Sequence, residues 1–406
     1  MSIRSVVILS LSLTICACGG GGGSDETVTT NTSPASSNST ALGPAPANAS
    51  YSNGTRALQA LLLSEKHLPL TPENAEYIEG TANTDIIANG NPLAFIATRD
   101  TKADEAWSLG WTGRGVKVGH LDDFLTKDIP SHVAGKNVSH GDATALVTYQ
   151  VSPEMTHSAQ QLSFDCDTLS GTQAEQLQSG YQYFNDNGFH IVNNSFGISR
   201  YNSAPCGGTP GLLSDADWAN SIKGMTENPV FLNMAGAVND STSYDENMLF
   251  VFSAGNAAQQ CSGGVGACTL RASVILELRK TQPTAGARVL YVGSLSGASL
   301  VSEIITIPET LATYSHSAGD MKNDFIVAHD SVFFYQDASG TSFAAPRVAG
   351  AAALVRQKFP TLNGSSLKQV LLQSADDLGA EGVDEIFGHG KLNLINALSP
   401  IDGLTK

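Results

Sequence analysis

Residues 340–350 read Gly-Thr-Ser-Phe-Ala-Ala-Pro-Arg-Val-Ala-Gly and begin a run of small and apolar residues that reaches about Val355. A helix that is apolar on all sides is buried, so we predict a helix deep in the core here. Ser342 stands near its start, where unpaired backbone N–H groups and the helix dipole favour a negative charge. That position suits a nucleophile whose reaction develops an oxyanion. A plain buried helix with Ser342 as its N-cap is the alternative interpretation.

The composition provides a core large enough to enclose such a helix. Of the 406 residues, 41% are hydrophobic, 40 are Gly and only 15% are charged, which excludes a disordered chain and a coiled coil. The 38 acidic residues outnumber the 22 basic ones and give a net charge of −16. Because an acidic surface repels phosphates, we expect no nucleic-acid partner. After the first 20 residues no apolar run is long enough to cross a bilayer.

The N-terminus has the pattern of an export signal. Arg4 and the apolar residues 5–15 precede an Ile-Cys-Ala-Cys-Gly segment that resembles the lipobox of bacterial lipoproteins. The resemblance implies that residues 1–17 are a lipoprotein signal peptide and that Cys18 is acylated, with an ordinary secretory signal as the alternative. Residues 18–55, rich in Gly, Ser, Thr and Pro, predict a flexible linker. Residues 56–97 form an N-terminal extension to which no role is assigned.

The seven residues 340–346 match the nucleophile motif of the subtilisin-like serine peptidases, the subtilases, which is Gly-Thr-Ser-(Met/Phe)-Ala-(Ala/Thr)-Pro. The chain resembles this family over about three quarters of its length. The resemblance implies an α/β fold, a parallel sheet flanked by helices, over a peptidase domain at residues 98–400. It also implies that Ser342 is the nucleophile and that Asp and His partners precede it in that order.

Two earlier motifs supply those partners. Residues 111–122 end an apolar strand pattern at Asp122, which the resemblance makes the residue that orients the catalytic imidazole. Taken alone, Asp122 also fits a strand-end residue that caps a turn. Asp123 and the following Phe stand where the family has Thr or Ser and then Gly. Residues 139–147 keep the His-Gly of the family's His motif, which makes His140 the general base, but Asp142 and its neighbour displace the usual Thr.

The sequence offers other histidines for the same role. His132 begins a His-Val-Ala-Gly string that resembles the end of the family's His motif, and it lies closer to Asp122 in the chain. Residues 142–149 can form the helix that the base must begin, whereas Gly135 follows His132 and ends such a helix. His157 precedes no comparable apolar run. We therefore predict that His140 is the base.

Further segments complete the predicted site. Residues 251–256 resemble the strand that delivers the family's oxyanion amide, which here is Asn256, and residues 191–197 resemble its Ser-Leu-Gly segment. An amide suits this role because it donates to developing negative charge without titrating. The resemblance implies that the substrate lies as an added strand against these two segments, at Ser195, Phe196, Gly197, Ser253, Ala254 and Gly255. Residues 387–393 resemble the segment that closes the subtilase domain, with His389 structural.

In an exported chain, Cys166, Cys206, Cys261 and Cys268 indicate disulfides, and we predict nearest-neighbour pairing. A zinc site is the alternative, but no CxxC spacing supports it. We expect no cofactor. Calcium is common in the family, but no ligand set is recognisable.

Together these features predict a monomeric serine endopeptidase that cleaves proteins or peptides through an acyl-enzyme on Ser342. The lipobox and glycine run further resemble lipidated autotransporter subtilases of Gram-negative bacteria. We therefore expect a lipid anchor at the outer membrane or cell surface, with a periplasmic or secreted protein as the alternatives. Since the chain ends soon after residue 393, we expect either a truncated sequence or a peptidase held by lipid alone.

Two rival functions stay open at this point. The departures at Asp123 and Asp142 permit an inactive subtilase fold that binds peptides without cutting them. A hydrolase of another type would use Ser342 with Asp384 and His389, although its partners would crowd into the last few dozen residues.

Overall fold

The structure is a computed structural model that describes residues 101–399, except residues 131–136, 164–171, 203–209, 237–243, 297–298, 302–303, 307–308 and 331–338. The predictions for the signal peptide, Cys18, the linker and the N-terminal extension therefore lie outside the described residues, as do those for His132 and for the Cys166–Cys206 pair.

Strands and helices alternate along most of the described residues, as the sequence predicts. The strands are β1 (Lys117–Asp122), β2 (Ile129–Pro130), β3 (Asn137–Val138), β4 (Thr156–Gln161), β5 (Ile191–Asn194), β6 (Tyr201–Asn202), β7 (Gly211–Leu212), β8 (Leu249–Ser253), β9 (Val289–Leu295), β10 (Ser299–Val301), β11 (Ile304–Thr306) and β12 (Phe325–His329). The helices are α1 (Ala103–Ser108), α2 (His140–Val151), α3 (Thr172–Asp186), α4 (Asp215–Thr226), α5 (Pro229–Ala235), α6 (Gly264–Cys268), α7 (Leu270–Arg279), α8 (Thr341–Lys358), α9 (Gly364–Gln373) and α10 (Leu394–Ala397), with a 3₁₀ turn at Gly319–Asp324.

Six strands form one sheet in the order β12-β9-β8-β5-β1-β4, and every neighbouring pair is parallel. The shorter strands pair separately as antiparallel ribbons, β2 with β3, β6 with β7 and β10 with β11. Because all six long strands run the same way, their carboxyl ends meet at one edge, which is where ligands bind in sheets of this class. The predicted parallel α/β sheet flanked by helices is confirmed.

Helices cover both faces of the sheet, and the central strand β8 is apolar towards both layers, as parallel strands usually are. One face packs against α1, α2, α8, α9 and α10, and the other packs against α3, α4, α5, α6 and α7. Along β8, Val251 faces the first layer while Phe250 and Phe252 face the second. All three are fully buried, and each stabilises the fold by about 1.5–3 kcal/mol through burial.

Helix α8 is the buried helix that residues 340–350 predict, and it extends a little further, to Lys358. All of its 18 residues except Ser342 and Lys358 are buried. Its small side chains let α2 approach closely: a Cβ added at Gly350 would lie 2.8 Å from the Cβ of Val151. Any larger residue at position 350 would therefore push apart the two helices that carry Ser342 and His140.

The predicted disulfide between Cys261 and Cys268 is present, and it joins the loop before α6 to the last residue of that helix, seven residues along the chain. Within the described residues, no helix combines the length and apolar composition needed to span a bilayer. Nor do these residues contain three or more His, Cys, Asp or Glu side chains placed to share a metal ion. Calcium binding therefore stays a prediction, and these described residues do not indicate where the ion would bind.

Candidate active site

Asp122 is the last residue of β1, at the edge where the strands of the sheet end. Its side chain is fully buried, so its carboxylate must find hydrogen-bond donors within the protein. One oxygen accepts from the backbone N–H of Asp123 at 2.8 Å, and the other accepts from the Thr144 hydroxyl at 3.3 Å. These bonds fix the plane of the carboxylate.

His140 is the first residue of α2, as the sequence predicts. The helix begins there because Ser139 is an N-cap that accepts from the backbone N–H of Asp142, while Asp142 accepts in return from the backbone of Ser139. This is a capping box. Asp142 also pairs with Lys127. Asp142, where this chain departs from the family motif, therefore stabilises the start of the helix that carries His140.

The imidazole of His140 and the carboxylate of Asp122 form a direct pair, with Nδ1 of His140 2.7 Å from Oδ1 of Asp122. An ionised carboxylate only accepts, so Nδ1 carries the proton and donates. In the neutral ring, Nε2 is then left as an acceptor. The pair thus fixes the tautomer that a general base requires.

The electrostatic surroundings of His140 favour its protonated form. Burial opposes that form, but the charge and hydrogen bond of Asp122 and the charges of Asp123 and Asp128 outweigh it, so the pKa of His140 is raised above its ordinary value. Burial likewise opposes ionisation of Asp123. Hydrogen bonds from Thr126, Gln161 and the backbone outweigh that cost, so the pKa of Asp123 is lowered and its charge is retained at neutral pH.

Ser342 lies in the first turn of α8, and its side chain is partly exposed while its neighbours are buried. Its hydroxyl donates to the backbone carbonyl of Ser195 at 3.0 Å. Among the hydrogen bonds of the described residues, none joins Ser342 to His140. The His140 ring faces this turn, with its centroid 5.9 Å from that of Phe343. Catalytic hydrogen bonds often tighten only when a substrate binds.

A buried carboxylate stabilises the turn before Ser342 by accepting a hydrogen bond from its backbone. Asp330, which follows β12, accepts from the backbone N–H of Gly340 at 2.7 Å and from the hydroxyl of Tyr314. Gly340 has φ 152°, and a Cβ there would lie 3.2 Å from Nδ2 of Asn256. Glycine is therefore the residue that lets the Asn256 amide sit beside the nucleophile turn.

Asn256 follows β8 by three residues, and its carbonyl end is fixed twice. Oδ1 accepts from the backbone N–H and from the hydroxyl of Thr341, each at 2.9 Å. The Thr341 hydroxyl in turn accepts from the backbone N–H of Gly255 at 3.0 Å. With Oδ1 held in this way, the orientation of the amide is set, and Nδ2 is the group available to donate to a ligand.

Ser342 and Asn256 open onto one cavity of about 190 Å³. Ser195, Gly197, Ser253 and Gly255, which the sequence predicts as substrate contacts, also line it. The cavity wall includes further residues that the sequence analysis missed: Ser199, Tyr201, Ala257, Gln260 and Thr269. Gln260 and Thr269 directly flank the disulfide-bonded Cys261 and Cys268, so the disulfide fixes the spacing of these two wall residues.

Two of the predicted substrate contacts have their side chains elsewhere. Ala254 is fully buried in the core. The ring of Phe196 packs in the core with the guanidinium of Arg271 5.0 Å from its centroid. Successive residues of an extended segment point to opposite sides. Residues 195 and 197 therefore line the cavity, whereas the side chain of residue 196 points into the core.

The other candidate side chains lie apart from this site. His157 is on β4, where its ring packs edge-on against that of His120 with the centroids 4.8 Å apart, and burial lowers its pKa to about 4. The backbone N–H of His389 donates to the backbone carbonyl of Phe325, at the amino end of β12. Ser342 is at the opposite, carboxyl edge of the sheet. The structure therefore does not bring His389 and Ser342 together.

Comparison with known proteins decides the family. Residues 131–390 match the model of the subtilase family of peptidases. The chain belongs to this family. In this subtilase Asp122 and His140 are bonded directly, Ser342 and Asn256 line one cavity, and the side chains of Asp123 and Asp142 accept local hydrogen bonds.

Several curated relatives are similar to this subtilase. An extracellular serine protease of Serratia marcescens is 23% identical over 349 residues, covering 73% of this chain and 33% of that protein. The autotransporter lipoprotein NalP of Neisseria meningitidis is 27% identical over 304 residues, covering 70% of this chain and 26% of NalP. Subtilisin DY of Bacillus licheniformis is 25% identical over 311 residues, covering 73% of this chain and 94% of that protein. The chain therefore spans a third or less of the first two relatives.

Among solved structures, a lanthipeptide protease aligns with 77% of this chain and 96% of its own length. Its TM-score is 0.47 and its sequence identity is 19%.

Proposed function

We propose that this subtilase is a serine endopeptidase that hydrolyses peptide bonds of proteins through an acyl-enzyme on Ser342. The observation that carries the proposal is the buried Asp122–His140 pair, whose imidazole faces the turn of Ser342 beside the cavity that Asn256 lines. Membership of the subtilase family and the relatives named extracellular serine proteases support the same activity.

The proposed reaction assigns one role to each side chain. The hydroxyl oxygen of Ser342 attacks the scissile carbonyl carbon, and its proton passes to Nε2 of His140. Asp122 stabilises the imidazolium that forms. His140 then gives the proton to the leaving amine as the C–N bond breaks, and a water molecule hydrolyses the acyl-enzyme by the same steps.

The oxyanion of the tetrahedral intermediate needs donors that are already oriented. Nδ2 of Asn256 and the backbone N–H of Ser342, in the first turn of α8, are the groups we assign to it. A helix's first N–H groups have no partner within the helix, and the dipole of α8 adds to their effect. Losing one such donor typically costs about 3–4 kcal/mol of transition-state stabilisation.

We propose an extended protein or peptide segment as substrate. Ser195 and Gly197 on one side and Ser253 and Gly255 on the other give the cavity two strand-like walls. An extended substrate would pair with them through backbone hydrogen bonds. Phe196 and Ala254 would contribute through their backbone only, because their side chains lie in the core.

The activity is tested by incubating the purified protein with unfolded casein and with a quenched fluorescent peptide library. We expect internal cleavage, seen as a fluorescence increase and as new peptide termini by mass spectrometry. An inactive peptide-binding fold would bind the peptides without producing new termini. That result would overturn the proposed activity.

The pH dependence of the activity follows from the charges around His140. A general base acts in its neutral form, so kcat/KM should rise with pH through the raised pKa of His140. Asp123→Asn removes one of the charges that raise this pKa, while it keeps the side-chain oxygen that accepts from Leu125 and Thr126. We therefore expect the rising limb of the kcat/KM profile to move to lower pH in this variant.

The matched control for this shift is Glu277→Gln, which removes a charge from an exposed i,i+3 pair on α7. Its pH profile should coincide with that of the unmodified protein. A rising limb that does not move in Asp123→Asn, or that moves equally in Glu277→Gln, would contradict the assigned electrostatics.

We also propose that Cys18 is acylated and that the lipid holds the peptidase at the outer membrane or cell surface, as a monomer on its linker. The lipobox-like residues 15–19 support this, and so does a relative named an autotransporter lipoprotein. Cys18→Ala should abolish incorporation of radiolabelled palmitate and shift the protein from the membrane pellet to the soluble fraction. Cys16→Ala is the control, because Cys16 lies in the same segment. Equal labelling of the Cys18→Ala variant would refute the anchor.

A further inference from the structure

Helix α8 contains a proline one turn after the nucleophile. Proline has no backbone N–H, and its ring crowds the carbonyl of the residue four positions earlier. In α8 that proline is Pro346 and the carbonyl is that of Ser342. The helix itself therefore cannot supply the hydrogen bond that this carbonyl would ordinarily accept.

A side chain from the sheet makes the missing bond. The hydroxyl of Ser195, just after β5, donates to the carbonyl oxygen of Ser342 at 2.7 Å. Ser195 is only 2% exposed, and its hydroxyl oxygen accepts from Nδ2 of the buried Asn193 at 3.0 Å. The donor is thus held in place from the strand.

The same two serines are joined a second time. The hydroxyl of Ser342 donates to the backbone carbonyl of Ser195 at 3.0 Å. The first bond fixes the backbone of Ser342, whereas the second involves the side chain that must rotate when it reacts. Only the first bond requires a hydroxyl at position 195.

We propose that Ser195 is a positioning residue for the nucleophile: its hydroxyl replaces the N–H that Pro346 lacks and ties the backbone of Ser342 to the sheet instead of to its own helix. This inference rests on the proposed peptidase function of Ser342. It adds to the contact with substrate that the sequence predicts for Ser195, because that contact would use the backbone and this one uses the side chain.

This hydrogen bond would hold the nucleophile at a fixed position relative to the bound substrate. The segment that begins with Ser195 lines the substrate cavity, as does Ser342. Linking the two directly keeps the attacking oxygen at a constant distance from a carbonyl bound on that wall. A displacement of about 1 Å at this point can cost about 100-fold in rate.

The first test is Ser195→Ala, assayed on one peptide substrate. The variant keeps the backbone that would bind the substrate but leaves the Ser342 carbonyl without a donor. We expect kcat to fall about 10- to 100-fold while KM changes less than about threefold. Ser374→Ala is the matched control, since Ser374 is also buried and its hydroxyl also donates to a backbone carbonyl, that of Leu371 in the helix α9 that Ser374 ends. It should leave both constants unchanged.

The decisive test is the double-mutant cycle with Pro346→Ala. An alanine at position 346 restores an N–H that can donate to the carbonyl of Ser342 within the helix. Removing the Ser195 hydroxyl should then have a smaller effect. We expect the kcat loss caused by Ser195→Ala to be about tenfold smaller in the Pro346→Ala background. A side chain with a merely structural role would give the same loss in both backgrounds. Equal losses would overturn the proposal.

The cycle can also be followed by thermal unfolding, which does not depend on activity. Ser195→Ala should lower Tm by about 2–4 °C in the Pro346 background, because it leaves a buried acceptor unpaired, and by less in the Pro346→Ala background. If the unmodified protein proves inactive, the proposed peptidase function fails and the positioning role fails with it, while the unfolding cycle still decides whether the Ser195 hydroxyl replaces the missing N–H. If the protein is active and the kcat losses are equal, only the positioning role fails.

Discussion

Ser342→Ala is expected to abolish peptide hydrolysis, with a loss in kcat on the order of 10⁴- to 10⁶-fold. The change removes the attacking oxygen and nothing else. Within the described residues the hydroxyl donates to the carbonyl of Ser195, and the partly exposed side chain lines the cavity. The fold should therefore be unaffected, and Tm should change by no more than about 2 °C.

The matched control for this variant is Ser366→Ala, in the first turn of α9. That turn is held by the Asn363 side chain, which accepts from the backbone N–H of Ser366 and not from its hydroxyl. The control should keep both its stability and its activity. Peptidase activity that persists at the unmodified level in Ser342→Ala would show that another residue is the nucleophile.

His140→Ala should have an effect of similar size, about 10⁴-fold or more in kcat, because it removes both the base and the ion that Asp122 stabilises. His132→Ala should keep its turnover. His157→Ala should also keep its turnover, although it removes a largely buried ring that packs against His120, and we expect it to lower Tm. The three variants should be compared on one peptide substrate, with thermal unfolding of each.

This series is decisive because two histidines, His132 and His140, each resemble part of the family's His motif. His140 begins a capped helix and bonds to Asp122 at 2.7 Å, and His132 begins a string that resembles the end of the family's His motif. If His132→Ala were inactive while His140→Ala remained active, the assignment of the base would be wrong.

Much of the fold and the motifs of the candidate site could be predicted from the sequence. The helix that follows Ser342 is recognisable because a fully buried helix in a crowded core requires small residues at many successive positions. Asp122 is recognisable because residues 111–122 resemble the family's Asp segment; taken alone, it also fits a strand-end residue that caps a turn. The Cys261–Cys268 disulfide agrees with the nearest-neighbour choice among the possible pairings of four cysteines.

The walls of the cavity could not be predicted in the same way. Ser199, Tyr201, Gln260 and Thr269 come from segments that have no residue pattern of their own and that meet only when the chain folds. The side chain of Phe196 is different: because side chains alternate along an extended segment, the sequence indicates that it points away from its two neighbours.

The hydrogen bond from Ser195 to the carbonyl of Ser342 shows a different limit of prediction from sequence. The proline predicts an unpaired carbonyl on Ser342, and this could be deduced from the sequence alone. The identity of the donor depends on how β5 sits against α8, which is a property of the packed sheet and not of either segment.

The central claim, that Ser342 is an activated nucleophile, is tested most directly by locating the covalent product. The purified protein is treated with a fluorophosphonate probe, digested, and mapped by mass spectrometry, with a heat-denatured sample as control. We predict a single modification on the peptide that contains Ser342, in the native sample only, and its loss in His140→Ala. Modification of another serine, or none at all in a natively folded protein, would contradict the proposed mechanism.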